Sequence, residues 1–296
     1  MALHGWLIID KPVGTGSTQI VSAVKRALRD GGYPKVKVGH GGTLDPLASG
    51  VLPVALGEAT KLCGRALDSD KDYDFTLRFG EETSTLDAEG EVVATSERRP
   101  TLADVETVLP RFTGSIEQVP PAYSALKVDG QRAYDLARAG EAVELKSRAV
   151  TIHALAARAG QRADEIALSA SVSKGTYIRS LAREIAHALD SVGHVTMLRR
   201  TKAGPFGLDH AISLDKLAEL AHARGLEHAL LPLAAGLDDI PALPVDPGQA
   251  RALREGRTLA GIAAQPGLHL ATDNHVPVAL VELGEGTLRV VRGFNL

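Results

Sequence analysis

The sequence predicts an α+β protein built around a mixed, largely antiparallel sheet and followed by a small, mostly β domain. Three observations carry this reading. Stretches with strand and helix periods follow one another without a regular βαβ repeat, which favours a mixed sheet over a doubly wound one. At 296 residues the chain exceeds the size at which a single core usually stops growing. Near residues 231–247 the composition shifts to LPLAAGLDDIPALPVDPG, a proline-marked stretch of the kind that joins domains. The expected division is 1–235 and 236–296.

Taken in order, GWLIID reads as a buried strand, DKPVGTGST as a loop, and STQIVSAVKRALRD as a helix. In that helix Ser17 or Thr18 can cap, Ile20, Val21, Val24 and Leu28 share a face, and DGG ends it. GVLPVALG is a second buried strand, where Pro53 suggests an edge or a bulge. EATKLCGRAL reads as a short helix, and DYDFTLRFG sets Tyr73, Phe75, Leu77 and Phe79 on one face with the period of a half-buried strand. LADVETVLPRF and YIRSLAREIAHAL have helical periods; EIALSASVS and HVTMLRRTKA read as strands. Beyond the proline-marked stretch come one short helix, GQARALREG, and the strands VPVALVEL and TLRVVRGF.

Composition excludes several functions. Cys63 is the only cysteine, which rules out an internal disulfide, a CxxC redox pair and a multi-cysteine zinc site, and fits a reducing, cytoplasmic setting. The start MALHGWLIIDKP lacks a basic leader, and no apolar run approaches membrane-spanning length, so no membrane association is expected. The net charge of −3 hides a segregation: +4 over residues 1–65, −8 over 66–110, +5 over 111–203 and −4 over 204–296. The blocks read either as ordinary solvated surface or as a basic face for a polyanion, formed by the first and third together.

Two glycine-rich stretches draw the eye. DKPVGTGST lacks both the Gly-Lys-Ser/Thr ending of a P-loop and the spacing of a dinucleotide fingerprint, so it is read as a tight turn with Lys11 available for an RNA phosphate. GHGGTLDPLASGVLPVALGEATKL sets a lone aspartate, Asp45, among glycines and apolar residues, with Pro46 stiffening its backbone. By itself Asp45 is either a turn cap or a carboxylate presented from a rigid loop. His40 is a core histidine or half of a metal site, and no second ligand pair nearby supports the metal.

This stretch resembles the catalytic motif of the TruB family of tRNA pseudouridine synthases. IIDKPVGTGS, LDSDKDYDF, VPPAYSALKVDGQRAYDLARAG, SKGTYIRSLAREI and HVTMLRRTKAGPF resemble the family's other blocks in the same order, over residues 5 to about 210. The resemblance implies a pseudouridine synthase catalytic domain, with an insertion at about 120–148, and a PUA-like RNA-binding domain at the carboxyl end, here short and acidic. It implies that Asp45 is the attacking aspartate, that His40 helps displace the target base, and that Tyr73 stacks on the flipped base and takes part in proton removal. Arg179 falls on the arginine paired with the carboxylate, Leu198 on an apolar residue lining the base pocket, and Lys11 on a basic residue of the amino-terminal motif. Lys127, Arg132 and Arg138 fall in the insertion, which is expected to clasp the T-arm of tRNA, with the target the uridine conventionally numbered 55.

The chemistry agrees with so sparse a set of groups. Isomerising uridine breaks an N-glycosidic bond and joins C5 to the same sugar carbon without redox change, so no cofactor and no metal are expected. One ionised carboxylate serves as nucleophile or as stabiliser of a cationic sugar, a nearby arginine favours its charged form, and an aromatic offsets the cost of extruding the base. A guide-RNA-dependent, dyskerin-like subunit would be expected to carry a lysine-rich extension, which this sequence lacks. A non-catalytic RNA chaperone is the rival from another class. The expected partner is tRNA alone, with no obligatory protein or guide RNA.

Overall fold

The computed structural model describes residues 3–124, 126–128, 131–132 and 145–296, with the backbone only for Lys127, Val128, Gln131 and Arg132. Most of the 120–148 insertion, Arg138 included, lies outside the described residues.

The amino-terminal strand β1 (Gly5–Lys11) runs into the loop 12–16 and helix α1 (Ser17–Asp30). The helix has the length its periodicity predicts, but its cap is Gly16 rather than Ser17 or Thr18; the Gln19 side chain accepts from the Gly16 N–H at 2.7 Å. Ser17 is drawn inward instead, for a reason given below. Strands β2 (Val38–His40) and β3 (Ser49–Leu56) flank the segment that carries Asp45. A 3₁₀ turn (Gly57–Leu62) and helix α2 (Cys63–Asp68) lead to β4 (Lys71–Phe79), and a hairpin of β5 (Glu81–Thr83) and β6 (Val92–Thr95) follows. After α3 (Leu102–Val108) come β7 (Gly114–Gln118) and the two-stranded β8 (Lys127–Val128) and β9 (Gln131–Arg132). Then follow β10 (Arg148–Ala159), β11 (Glu165–Val172), α4 (Ile178–His187), β12 (Gly193–Ala203), β13 (Phe206–Gly207), β14 (Ala211–Ile212) and α5 (Leu214–His222).

Among the described residues these strands make one ten-stranded sheet, with the order β14-β1-β3-β12-β4-β11-β10-β7, β2 beside β3 and β13 beside β12. Only β1–β14 and the short β3–β12 contact are parallel; the remaining ladders of this sheet are antiparallel. The expectation of a mixed, largely antiparallel sheet holds.

Both faces of the sheet's centre are covered, which is why WLII and VLPVAL are continuous apolar runs rather than alternating ones. Leu7 and Ile9 of β1 and Leu52, Val54 and Leu56 of β3 join one core with Ile20 and Val24 of α1, Val105 of α3, Leu181 and Ile185 of α4 and Leu217 of α5. The intervening residues Trp6, Ile8, Val51 and Ala55 face a second core with Ala59, Leu62, Phe206, Leu233, Leu237, Leu270, Leu280 and Phe294.

Pro53 corrects an expectation. Its strand is not an edge, since β1 lies on one side and β2 and then β12 on the other. The Pro53 carbonyl accepts from the Gly41 N–H at 2.9 Å, so its nitrogen faces the same side, where β2 has just ended. A missing N–H there breaks no ladder bond.

The 231–247 stretch is more ordered than a linker. Leu233 and Leu237 are buried around a 3₁₀ turn (Leu233–Gly236), and the Trp6 indole N–H donates to the Leu233 carbonyl at 3.2 Å. β15 (Ala242–Pro244) is already the first strand of a five-stranded sheet with β17 (Gly267–Asp273), β18 (Val276–Gly284), β19 (Thr287–Gly293) and β16 (Leu259–Ala260). Helix α6 (Pro247–Arg254), capped by Asp246, closes a separate small core with Val278, Val281 and Leu288. The mostly β carboxy-terminal unit is therefore present. Among the described residues no helix is long and apolar enough to cross a membrane.

Candidate active site

Between β2 and β3 the segment 41–48 rises from the sheet and is tied down on several sides. The Ser17 hydroxyl donates to the Leu44 carbonyl at 3.0 Å and accepts from the Leu44 N–H at 2.8 Å, which is why Ser17 points inward rather than capping α1. The Pro46 carbonyl accepts from the Gly14 N–H at 2.8 Å and from the Lys11 ammonium at 3.3 Å. Asp45, between these anchors, is held by backbone contacts on either side, and its side chain keeps 36% of its surface exposed.

Arg179 meets it from the first turn of α4. Nη2 lies 2.8 Å from Asp45 Oδ2 and Nη1 3.3 Å from Asp87 Oδ2, while the arginine side chain is only 5% exposed and that of Asp87 3%. Nη1 also donates to the Thr85 carbonyl at 2.7 Å and Nη2 to the Tyr123 carbonyl at 3.0 Å. Asp87 is itself fixed by the Thr85 hydroxyl at 2.5 Å and the Glu89 N–H at 3.1 Å. Glu89 stands close enough that burial, reinforced by Asp87 and Asp45, raises its carboxyl pKa. A second anchor holds the amino end of α4: Gln118, fully buried, exchanges hydrogen bonds with the Tyr177 N–H at 2.7 Å and the Tyr177 carbonyl at 3.2 Å.

The pair faces a cleft of about 830 Å³ over β4 and β12, with Tyr73 and Leu198 in its lining. Both belong to the expected set, so the fold assembles Asp45, Tyr73, Arg179 and Leu198 from four separate segments. Two expected residues lie elsewhere. His40, at the end of β2, is not part of the lining; burial, with the positive charge of Arg200 adding to it, lowers its pKa, and its buried Nδ1 has no hydrogen-bond partner among the described residues. Lys11 is fully buried, its ammonium donating to the carbonyls of Pro12 at 3.0 Å, Thr15 at 2.6 Å and Pro46 at 3.3 Å. In this position the ammonium lies beneath the Asp45 segment, against three carbonyls. Burial also pulls its pKa down to about 8, with Asp45 opposing and Arg200 reinforcing the fall. Lys127 and Arg132 lie in the β8–β9 hairpin, where the backbone alone is described.

The cleft also contains residues the sequence reading did not single out. Lys71, two positions before Tyr73, donates to the carbonyls of Ala66, Leu67 and Ser69 at 2.5 to 3.0 Å, closing the end of α2, and burial lowers its pKa to about 8. The Arg148 guanidinium lies 4.9 Å from the ring centre of Tyr177. The cationic lining, Lys71, Arg148, Lys174, Arg179 and Arg200, comes from the second and third charge blocks, and the first contributes Asp45 but no cation. Tyr177 had one available signal, being an aromatic two residues before Arg179 in a chain with 4% aromatics. Asp87 had none beyond a turn-rich TSTLDAEGE. Among the described residues no group of His, Cys, Asp and Glu is placed to hold a metal.

A family model described as the N-terminal domain of TruB family pseudouridylate synthase matches residues 29–178, and one for the tRNA pseudouridylate synthase B C-terminal domain matches 179–238. The boundary between them falls inside α4, so both matched parts contribute to the one sheet. A tRNA pseudouridine synthase B from Novosphingobium aromaticivorans is 66% identical over 99% of this chain and 98% of its own length. The protein of the same name from Zymomonas mobilis is 62% identical over 99% and 97%. Among solved structures, a Cbf5-Nop10-Gar1 complex superposes with a TM-score of 0.74 at 25% identity, covering 99% of this chain and 84% of that one. With two family models in tandem and relatives of such identity along nearly the whole length, the chain belongs to the TruB family of pseudouridylate synthases.

Proposed function

We propose that the protein isomerises a uridine of tRNA to pseudouridine, that the target lies in the T-arm loop at the position conventionally numbered 55, and that Asp45 is the nucleophile. The single observation that carries the assignment of roles is the Asp45–Arg179 pair at the mouth of a cleft lined by Tyr73 and Leu198. The names of the relatives support tRNA as the substrate.

In this reading the uridine leaves its stack and enters the cleft, where Tyr73 offers an aromatic face and Leu198 an apolar wall. These contacts offset the few kcal/mol of unstacking. Arg179, itself held by Asp87 and two carbonyls, keeps Asp45 in one orientation as the glycosidic bond breaks and the C5–sugar bond forms. His40 serves base displacement in this scheme from the end of β2, outside the lining of the cleft. Arg148 and Lys174 at the cleft, together with Lys127 and Arg132 of the insertion, meet the RNA backbone. Lys11 acts through the Asp45 segment. Residues 236–296 form a second RNA-contacting domain in this scheme, supported by the exposed Arg251, Arg254, Arg257, Arg289 and Arg292.

The test is release of tritium from C5-labelled uridine in an unmodified tRNA transcript by purified protein alone, repeated with an isolated T-arm stem-loop. Release from both, lost when the target uridine is replaced by cytidine, supports the proposal. A requirement for a guide RNA or protein partner would overturn its stand-alone character, and binding without release would make the protein a chaperone.

A further inference from the structure

β3 changes neighbours along its length: β2 pairs with Val54–Leu56, whereas β12 pairs only with Ser49 and Gly50. Val51 and Leu52 lie between the two, without a strand partner on that side, just where the Asp45 segment leaves the sheet. The side chain of Arg200 fills the opening. It is 1% exposed, its Nε donates to the Val51 carbonyl at 2.8 Å, and Nη2 and Nη1 reach the carbonyls of Gly42 and Thr43, each at 3.4 Å. One planar fork therefore ties the strand after the segment to the two residues that lead into it.

The backbone of Arg200 has no freedom either. It pairs with Gly50 on one side and with Tyr73 on the other. A Cβ at Gly50, whose φ is +101°, would lie 2.1 Å from the Arg200 carbonyl oxygen. Arg200 thus touches the framework of both the carboxylate and the aromatic face, and it lines the same cleft as they do.

Among the described residues Arg200 has no ion-pair partner; its guanidinium donates to carbonyls, and its charge acts on the like-charged Lys11 and Lys71 and on His40. A buried charge without an opposite charge is destabilising relative to an apolar side chain of similar size. Its hydrogen bonds to three carbonyls offset part of that cost, and all three lie where the Asp45 segment leaves and rejoins the sheet. We infer that Arg200 is a positioning residue for the reaction: it sets the path of Gly42–Leu44 from within the sheet and so fixes where Asp45 stands against Arg179 and Tyr73. The inference rests on the functional reading above. Lysine keeps the charge but cannot supply a rigid fork to three carbonyls.

The experiment compares the parent with Arg200→Lys and Arg200→Met in the full chain. It measures the single-turnover rate on the T-arm stem-loop, the Kd for that RNA, and hydrogen exchange by mass spectrometry. In Arg200→Met the rate is expected to fall at least about 100-fold, the cost of a small misplacement, with Kd kept within about threefold. Arg200→Lys should recover part of that loss. Exchange over 41–53 should quicken about tenfold or more, while the β11 peptide over 165–172 stays as in the parent. The inference is overturned if either variant keeps the parental rate, if the loss follows a loss of RNA affinity, or if exchange over 41–53 does not change. Should Arg200→Met fail to fold, Arg200→Lys decides by the same rate and exchange readings. Should the parent itself not isomerise the RNA, the functional reading falls and the exchange pattern alone decides the role of Arg200 in holding the segment.

Discussion

Arg179 is more tightly enclosed with Asp87 than with Asp45: the Asp87 carboxylate, 3% exposed and 3.3 Å from Nη1, is sealed into the core, while the Asp45 carboxylate opens onto the cleft. The arginine therefore has a structural partner on one side and a reactive one on the other. Removing the enclosed partner leaves a guanidinium short of one negative charge in a nearly dry place, a change that typically costs about 3 to 5 kcal/mol. Asp87→Ala should lower the melting temperature clearly and slow turnover. Asp87→Asn, which can keep the contacts to Thr85 and the Glu89 N–H but also lacks the charge, should recover only part of the stability and none of the rate. Thermal unfolding and single-turnover assays on both variants separate shape from charge.

Asp45→Asn preserves size and most hydrogen bonding but removes the charge. Turnover should vanish while tRNA affinity stays within about tenfold, or about 1.4 kcal/mol. Appreciable pseudouridine formation by this variant would take Asp45 out of the mechanism.

Arg179 itself should tolerate lysine poorly and methionine not at all. Lysine restores a charge but not the contacts a planar fork makes with two carboxylates and two carbonyls, so an intermediate rate is expected, with methionine near zero. Measured single-turnover rates in the order parent, Lys, Met support the pairing; a parental rate in the Met variant removes it.

Lys11 and Lys71 both have pKa values lowered from 10.5 to about 8, burial being the main cause in each. A folded-state pKa below the unfolded one means that the unfolded chain binds more protons between about pH 8 and about pH 10.5, so these two groups make stability rise with pH in that window. Below about pH 8 both states are protonated and the cost of burying the charge is present in full. Urea unfolding across the window should show a shallower pH slope in Lys11→Met than in the parent. Activity should move the other way. A neutral amine has two hydrogens for the three carbonyls that Lys11 now serves, so the parental rate should decline above about pH 8 while the fold gains stability.

If Arg148 and Lys174 meet the RNA backbone, tRNA affinity should fall steeply with salt, because each phosphate contact releases counterions. Arg148→Gln should reduce the slope of log K against log salt by about one. A flat response in the parent would count against the cleft mouth as the RNA footprint.

α1 and β4 were legible because their apolar spacing is set by a single buried stripe or face, and α4 was legible for the same reason; β11 was legible as a buried run, Glu165–Leu168, that then alternates. β10 was not: beyond Val150 and Ile152 its run HALAARA alternates small and half-exposed residues, which mark no face. Pro53 misled because a proline reports only that one N–H is not needed. Whether that is an edge or the end of a neighbouring strand depends on where β2 stops. The resemblance pointed to Asp45, Arg179, Tyr73 and Leu198, which the fold does bring to one cleft. Asp87, Lys11 and Arg200 depend on contacts between segments far apart in the chain, and in such cases a charged residue reads as surface until its neighbours are known.

The second core joins opposite ends of the sequence. Trp6 and Ile8 share it with Leu270, Leu280 and Phe294, while the Lys61 ammonium donates to the Gly293 carbonyl at 2.8 Å and the Asn295 N–H to Glu58 at 2.8 Å. During synthesis β1 emerges long before residues 293–295, and one side of its indole and isoleucine layer stays uncovered until they follow. The nascent chain therefore presents a sticky surface for nearly the whole time it takes to translate the rest. A chain cut short before Phe294 would be not merely shorter but open along a seam beside β1, a natural target for chaperones and proteases.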